Sequence, residues 1–577
     1  VWDEAGAAVV RKHDARLPLV SFGWHGYAGD GDAALGEEGL DFGVGDKVLT
    51  LAAALAQRWH TVGGRGYLQW RGIPVGAAPT ADLYDFFKPA VKLYYVWRHV
   101  VARYAPQEVV FVDDGSPAAA LLPYLAAADR VGSWRLGAAA FARARRRLDL
   151  ASRRFVWPMM FEAARRRGRA GGVAPRLDAR MRRPGGAVFW GQLGSYDVDV
   201  YLALRERLGP DLPFFAATPA AARGGRRAGA LCDTLYDARP PAGRVRAVFG
   251  ALAVDYRALE RAGLFDGFGL PPALVSYFRD RFVFRPDAYL ISLAFTAAAV
   301  EAFLERWRPA LVVHLSDVHL TGRLVSAMAA RRGLRSLVIQ NHITGGPTFG
   351  YLPLTSDLMA TWGRVSRDWM VAGGAPRDRL VVVGSCYAAL AAPLYRGRAA
   401  SPGRAKVVVA TNSFDADHNR ELALAAGAWA RARPDFRLVF RPHPGEGEEL
   451  YRAVIRKFGL AGAEVAARAP LADVLRDAAV VVTGHSGIGV DAVVAGVPMV
   501  HVNLMRGVAD YIPYVAYGAA LGLGELAWLG TAVAEAAASP GWFQEGRRAF
   551  SREYLGDDRG DPFANLARLV REMGARG

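Results

Sequence analysis

The chain has 577 residues, 52% hydrophobic and 22% charged. This length suggests two large domains or about three to four ordinary ones, and the composition excludes a disordered chain. Its two cysteines, Cys232 and Cys386, exclude a disulfide scaffold and any zinc or iron–sulfur site built from cysteine. The net charge of +17 rests mostly on Arg, and 14 of the Arg, against three acids, fall within residues 143–183, a stretch suited to anionic partners.

In chain order, apolar runs that read as strands alternate with amphipathic helices, the pattern of α/β layers on mostly parallel sheets. The first run, 109–113, ends in Asp113-Asp114-Gly115-Ser116. Adjacent carboxylates at a strand end can raise one another's pKa, which suits one of them to act as general base on an acceptor hydroxyl. Asp-Asp-Gly is equally a turn sequence. Residues 128–185 then read as an Arg-rich helical or irregular insertion. Inside it, 155–161 (FVWPMMF) lies between Arg clusters. That pattern suits an interfacial helix on anionic lipid, or a solvated helix whose apolar side joins the core. The chain carries no nucleic-acid recognition module, so no nucleic-acid partner is expected.

Further strands are predicted at 187–190, 311–315, 336–340 and 380–383. The run at 311–315 leads into Ser316-Asp317-Val318-His319. Asp317 is therefore a rival general base, or a helix cap. The run at 336–340 leads into Asn341-His342. Residues 396–404 (RGRAASPGR) are polar and contain Gly and Pro, the marks of a linker. The expected organisation is an N-terminal α/β domain over 1–385, a linker over 386–404, a second α/β domain over 405–535, and a helical tail over 536–577 that returns to the first.

In the second half, strands are predicted at 406–410, 437–441, 479–483 and 498–502. The first leads into Thr411-Asn412-Ser413 and then Asp415, Asp417 and His418, which read as a capped helix start rather than as metal ligands. The second runs into Arg441-Pro442-His443-Pro444. Proline on both sides of His443 stops the strand and fixes the backbone, so Arg441 and His443 make either a site for an anionic group or a rigid turn. The third runs into Thr483-Gly484-His485-Ser486-Gly487 and a helix that contains Asp491. Exposed amides at such a helix start bind anions, and glycine lets a ligand approach the backbone. Ser486 adds a hydroxyl, and Asp491 is placed to accept from a ribose. The same residues also suit a capped helix packed on a sheet.

Neither a dinucleotide-binding Gly-x-Gly-x-x-Gly, nor a phosphate loop ending in Gly-Lys-Ser/Thr, nor a Gly-x-Ser-x-Gly elbow occurs. The His-Pro element and the Gly-Ser-helix element together resemble the donor-binding domain of GT-B glycosyltransferases. Relatives of that kind include bacterial surface and capsular polysaccharide transferases, teichoic-acid-type polyol-phosphate transferases and non-hydrolysing UDP-N-acetylglucosamine 2-epimerases. The order Gln340-Asn341-His342, Tyr351-Leu352-Pro353, Trp362-Gly363 and Gly384-Ser385 resembles the inter-domain segment of capsule-type transferases, which often read Gln-His-Gly at the first point. The resemblance spans about 310–577. Bacterial sialyltransferases carry an acid–acid–Gly element similar to Asp113-Asp114-Gly115.

The resemblance implies two Rossmann-like domains facing a cleft and a nucleotide-sugar donor. It places His443 and Ser486 on the donor phosphates, and Arg441, His485, Gly487, Asn412, Ser413 and His342 around the donor. It puts Asp491 where a ribose-binding Glu stands, one methylene shorter, and the sialyltransferase likeness makes Asp114 of the Asp113-Asp114 pair the base, with Asp317 the rival read from its strand end. It implies no bound metal and no cofactor. The expected acceptor is a cell-surface polysaccharide or lipid-linked glycan. The expected location is the cytoplasm, with residues 143–183 against the inner membrane face. A polyol-phosphate transferase, an epimerase, and a non-catalytic binding partner in polysaccharide assembly are the alternatives.

Overall fold

The computed structural model describes residues 44–113, 117–137, 186–192, 195–210, 212–229, 232–235, 240–287, 289–343, 351–397, 405–412, 416–443, 446–504, 510 and 512–575. The segment expected at the membrane, 143–183, lies outside them. Among the described residues no helix is long and apolar enough to cross a membrane.

Two parallel sheets organise the chain, the α/β architecture that the GT-B resemblance implied. Before them, after two short antiparallel ribbons within 61–74, come β1 (Glu108–Asp113) and β2 (Gly132–Gly137), paired in parallel as a separate small sheet. β2 corrects the helical or irregular reading at the start of 128–185. The first large sheet is built from β3 (Ala187–Gly191), β4 (Phe214–Ala216), β5 (Cys232–Thr234), β6 (Leu311–His314), β7 (Arg335–Ile339), β8 (Leu358–Thr361) and β9 (Leu380–Val382). Its spatial order is β9-β8-β7-β6-β3-β4-β5. The second comprises β10 (Ala405–Ala410), β11 (Phe436–Arg441), β12 (Glu464–Val465), β13 (Ala478–Thr483), β14 (Met499–Val502) and β15 (Leu521–Leu523), in the order β12-β11-β10-β13-β14-β15.

The sequence dictates these sheets through burial on both faces. Parallel strands covered by helices on each side read as unbroken apolar runs. Val407, Val408 and Val409 in β10 and Val480, Val481 and Val482 in β13 are all buried. They pair directly across the sheet, Val407 with Val480 through Val409 with Val482. One face of this sheet packs on helix Ala416–Ala432 and the other on helix Ile488–Ala495. The latter helix stops at Gly496, whose φ of 70° is the left-handed cap that glycine adopts without strain.

The first sheet has a helical layer on one side. Helices Thr80–Tyr104, Ala242–Arg261, Pro272–Arg281 and Leu290–Trp307 share a core with Trp59, Phe87, Phe265, Phe278 and Phe282, and with Trp190 and Phe215 of the sheet. Its other face is covered by helices Ser195–Leu208 and Pro219–Arg227 and by the far end of the chain. Phe563, Leu566, Val570 and Met573 of helix Pro562–Ala575 are buried against Phe189, Leu311, Leu337 and Ile339. The return path crosses residues 362–385 closely. Ser385 N donates to Leu555 O at 2.8 Å, and a Cβ on Gly363 would lie 2.3 Å from Glu553 O. Arg364 grips Glu553 through two hydrogen bonds of 2.7 and 3.0 Å.

Candidate functional site

In an open parallel sheet, ligands sit beyond the carboxyl ends of the strands, where the strand order reverses. In the second sheet that point lies between β10 and β13. Three of the elements singled out in the sequence converge there: Thr411–Asn412 after β10, Pro442–His443 after the neighbouring β11, and Gly484–Gly487 after β13.

The β11 turn is fastened by Glu446, a residue the sequence reading passed over. Its Oε2 accepts from the His443 amide at 2.9 Å and from Thr411 Oγ1 at 2.6 Å. Its Oε1 accepts from Asn419 Nδ2 at 2.7 Å and Tyr451 OH at 2.9 Å. One carboxylate thus locks the loops after β10 and β11 together. The spacing of three residues from His443, typical of a tight turn, was the signal for it. The backbone of Asn412 is clasped by Asn419, whose Nδ2 donates to its carbonyl. Ser413 lies outside the described residues. Arg441 turns aside: its Nη1 donates to the carbonyls of Ala466 and Ala469, the latter at 3.0 Å. Burial, with the Arg441 charge adding to it, holds the half-buried His443 imidazole below its ordinary pKa against the pull of Glu446. A neutral ring there can donate one N–H to an anion.

The β13 turn opens onto helix Ile488–Ala495, and no side chain caps its first amides. Ser486 N donates to Gly484 O at 2.8 Å, curling the turn beneath the helix start. Gly484 and Gly489 are required by close packing, because a Cβ would lie 2.9 Å from His418 Nε2 and 2.4 Å from the Tyr514 ring respectively. Gly487 is different. It is exposed, and a Cβ there would meet nothing within 4 Å. The helix N-terminus is therefore open to an anion on this side.

Asp491 is not presented to a ribose. It is buried, and both carboxylate oxygens are taken: Tyr387 OH donates to Oδ2 at 2.5 Å and Tyr395 OH to Oδ1 at 2.8 Å. Burial raises its pKa to about 6, and the two phenols moderate the rise. It ties this helix to the segment joining the two sheets.

The switch point of the first sheet lies between β6 and β3, and it is packed shut. Gln192 donates to Ser316 O at 3.2 Å and accepts from Thr321 Oγ1 at 2.9 Å. His314 Nε2 lies 2.8 Å from Ser326 Oγ. Asp317 is fully buried within this network. Its Oδ2 accepts from the Thr355 amide at 2.9 Å and its Oδ1 from Thr355 Oγ1 at 2.5 Å, with Ser356 adding two longer bonds. It anchors the turn before β8 rather than facing a substrate. Asp113 ends β1 opposite Gly137, and Asp114 lies outside the described residues.

His342 follows β7 and is exposed. Its ring stacks on Tyr351 at 4.8 Å between centroids, and its Nδ1 lies 2.8 Å from Asn341 Oδ1. Buried Gln340 holds that turn by accepting from the Trp362 amide at 2.8 Å and donating to His342 O at 3.0 Å. The next residue, Ile343, packs on the cluster that contains Ile488 and Val490. The carboxyl end of β7 is thereby brought beside the helix that carries Asp491.

The structure also assembles a group that the sequence reading did not. His485 and His501 lie ring to ring at 5.0 Å, and His501 Nε2 is 3.3 Å from Asp510 Oδ1. These three are the one group among the described residues with a donor set and spacing fit to hold a metal ion. Burial, with His501 adding to it, pushes the His485 pKa down to about 4. No local pattern in the sequence pointed to it; the sheet register does, since His501 pairs with Thr483, two residues before His485.

No protein-family model matches the chain, and no curated protein matches it. Among solved structures, a Listeria monocytogenes protein assigned as a UDP-N-acetylglucosamine 2-epimerase is similar over 68% of this chain and 98% of its own, at 10% identity and a TM-score of 0.46. UDP-GlcNAc 2-epimerase from Neisseria meningitidis, bound to UDP-GlcNAc, is similar over 68% and 100%, at 11% identity and a TM-score of 0.42. A wall teichoic acid polymerase is similar over 68% and 90%, at 9% identity and a TM-score of 0.41.

Proposed function

We propose that this chain is a nucleotide-sugar-dependent glycosyltransferase that acts on a surface polysaccharide or lipid-linked glycan. The observation that carries the reading is the convergence of His443, the Gly484–Gly487 turn and an uncapped helix N-terminus at the switch point of the second sheet. The donor phosphates would lie against the amides at Gly487 and the neutral imidazole of His443. As the sugar–oxygen bond breaks, charge grows on the departing phosphate. Preorganised amides and an N–H donor stabilise that charge without reorganising. Deprotonation of the acceptor hydroxyl falls to Asp113 or Asp114, because Asp317 is buried and committed to Thr355 and Ser356. The ribose needs a partner other than Asp491 unless Tyr387 and Tyr395 release it.

The test is a thermal-shift panel of CMP, CDP, UDP, GDP and ADP on the full chain and on His443→Ala. A nucleotide at 100 times its Kd stabilises by about 2.7 kcal/mol. One nucleotide should shift the wild type and lose its effect on the variant. Absence of any shift with all five would refute the donor-site reading.

A further inference from the structure

We infer that His485, His501 and Asp510 form a binding site for a divalent first-row transition cation, with zinc as the best-fitting probe. The inference stands on the ligand set and does not depend on the nucleotide reading.

The three side chains come from successive elements at the carboxyl end of one sheet. His485 lies in the turn after β13, His501 is the third residue of β14, and Asp510 lies beyond the end of β14. The fold fixes the first two, since β13 and β14 pair in register with Thr483 opposite His501. Their ligand atoms, with one oxygen of Asp510, all fall within 4.8 Å of one another. Around a four-coordinate zinc with bonds of about 2.0–2.2 Å, ligand atoms lie roughly 3.3–3.6 Å apart. Small side-chain rotations therefore close the set on an ion.

The chemistry of the set is specific. Two imidazoles and one carboxylate suit zinc or ferrous iron, whereas calcium and magnesium prefer oxygen alone. Three protein ligands leave at least one position open. His501 is only 1% exposed, and neither ring nitrogen finds a well-formed hydrogen bond among the described residues, Nε2 having only its 3.3 Å approach to Asp510. An imidazole so deeply placed ordinarily has both nitrogens satisfied. Asp510 is held in place, since Asn503 Nδ2 donates at 2.8 Å to its Oδ1, the oxygen that faces His501. Such outer contacts are characteristic supports of metal-binding carboxylates. His485 and Asp510 are both part-exposed, which gives an ion a path from solvent. The proposal departs from the expectation of a metal-free protein, which came from family resemblance, and rests on the side chains instead.

The test uses the full chain stripped by a chelator and dialysed, then titrated with Zn²⁺ by calorimetry and with Co²⁺ by visible absorption. One ion per chain should bind, and Co²⁺ should show the intense visible bands of a low-coordinate site. Asp510→Ala and His501→Ala should each weaken Zn²⁺ binding at least tenfold. Because His501 is buried, its variant is checked for folding by circular dichroism. Asp510→Ala, at a part-exposed position, gives the decisive comparison if the other variant fails to fold. Failure of the wild type to bind stoichiometric Zn²⁺ overturns the assignment, as does binding that survives Asp510→Ala undiminished.

Discussion

Asp491→Asn is the substitution that most directly probes how the two halves of the molecule are joined. The Asp491 carboxyl is buried beneath two tyrosine hydroxyls, and its pKa is raised from 3.8 to about 6 by that burial. Such an elevation is worth ~3 kcal/mol of preference for the neutral acid in the folded chain. The sign follows from proton counting. Between about pH 4 and 6 the folded state binds more protons at this position than the unfolded state does. The stability contributed by Asp491 is therefore fully present below the unfolded pKa of 3.8, still mostly present at pH 4, and lost as pH rises through 6. Asparagine carries no charge at any of these pH values and still offers one acceptor to a tyrosine. Urea denaturation of both proteins at half-unit steps from pH 4 to pH 7 isolates the effect, because every other titrating group cancels in the difference. The stability of Asp491→Asn relative to wild type should rise by about 2–3 kcal/mol across that window. A difference that stays flat from pH 4 to pH 7 would mean that the carboxylate is hydrated, and the two-tyrosine lock would be refuted.

Two glycines make a contrasting pair of predictions. At Gly322 a Cβ would lie 1.9 Å from the Ser316 carbonyl, and backbone there cannot withdraw, so Gly322→Ala should cost about 3 kcal/mol or more in urea denaturation. A loss under about 1 kcal/mol would show that this junction is loosely packed. At Gly487 a Cβ meets nothing, so Gly487→Ala should leave stability within about 0.5 kcal/mol while weakening nucleotide binding several-fold in the thermal-shift panel. Unchanged binding would place the anion away from this helix start.

The strands visible in the sequence were those with their own apolar signature. Runs such as 406–410 and 479–483 are β-branched and end at Gly or polar residues, and each is a central strand of the structure. Apart from the six-residue Gly132–Gly137, the missed ones were short. Phe214–Ala216 and Cys232–Thr234 have three residues each, too few to show a period, and pairing with neighbours defines them instead. The same split holds for the site. His443 and Gly487 were legible because strand ends marked by Pro and Gly announce themselves locally. The partners of Asp491 lie 104 and 96 residues earlier in the chain. Those that enclose Asp317 lie 38 and 39 residues later. A carboxylate that looks available in sequence is buried or bound by residues no local pattern connects to it. His501 was read as part of an apolar strand, and only its sheet neighbour reveals what it faces.

The last helix has a bearing on the order in which the molecule can be made. Phe563, Leu566, Val570 and Met573 fill the face of the first sheet, beside Phe189 and Leu311. During synthesis that sheet emerges from the ribosome well before the residues that cover it. Domains generally fold as units, amino end first, yet here the earlier sheet would wait with part of one apolar face uncovered, beside helices Ser195–Leu208 and Pro219–Arg227, until residues 562–575 arrive. The later sheet, whose strands span 405–523, has the shorter wait for its partners and is placed to mature first. A nascent chain arrested just short of residue 562 should therefore bind hydrophobic-patch chaperones through its first half, while its second half is already protease-resistant.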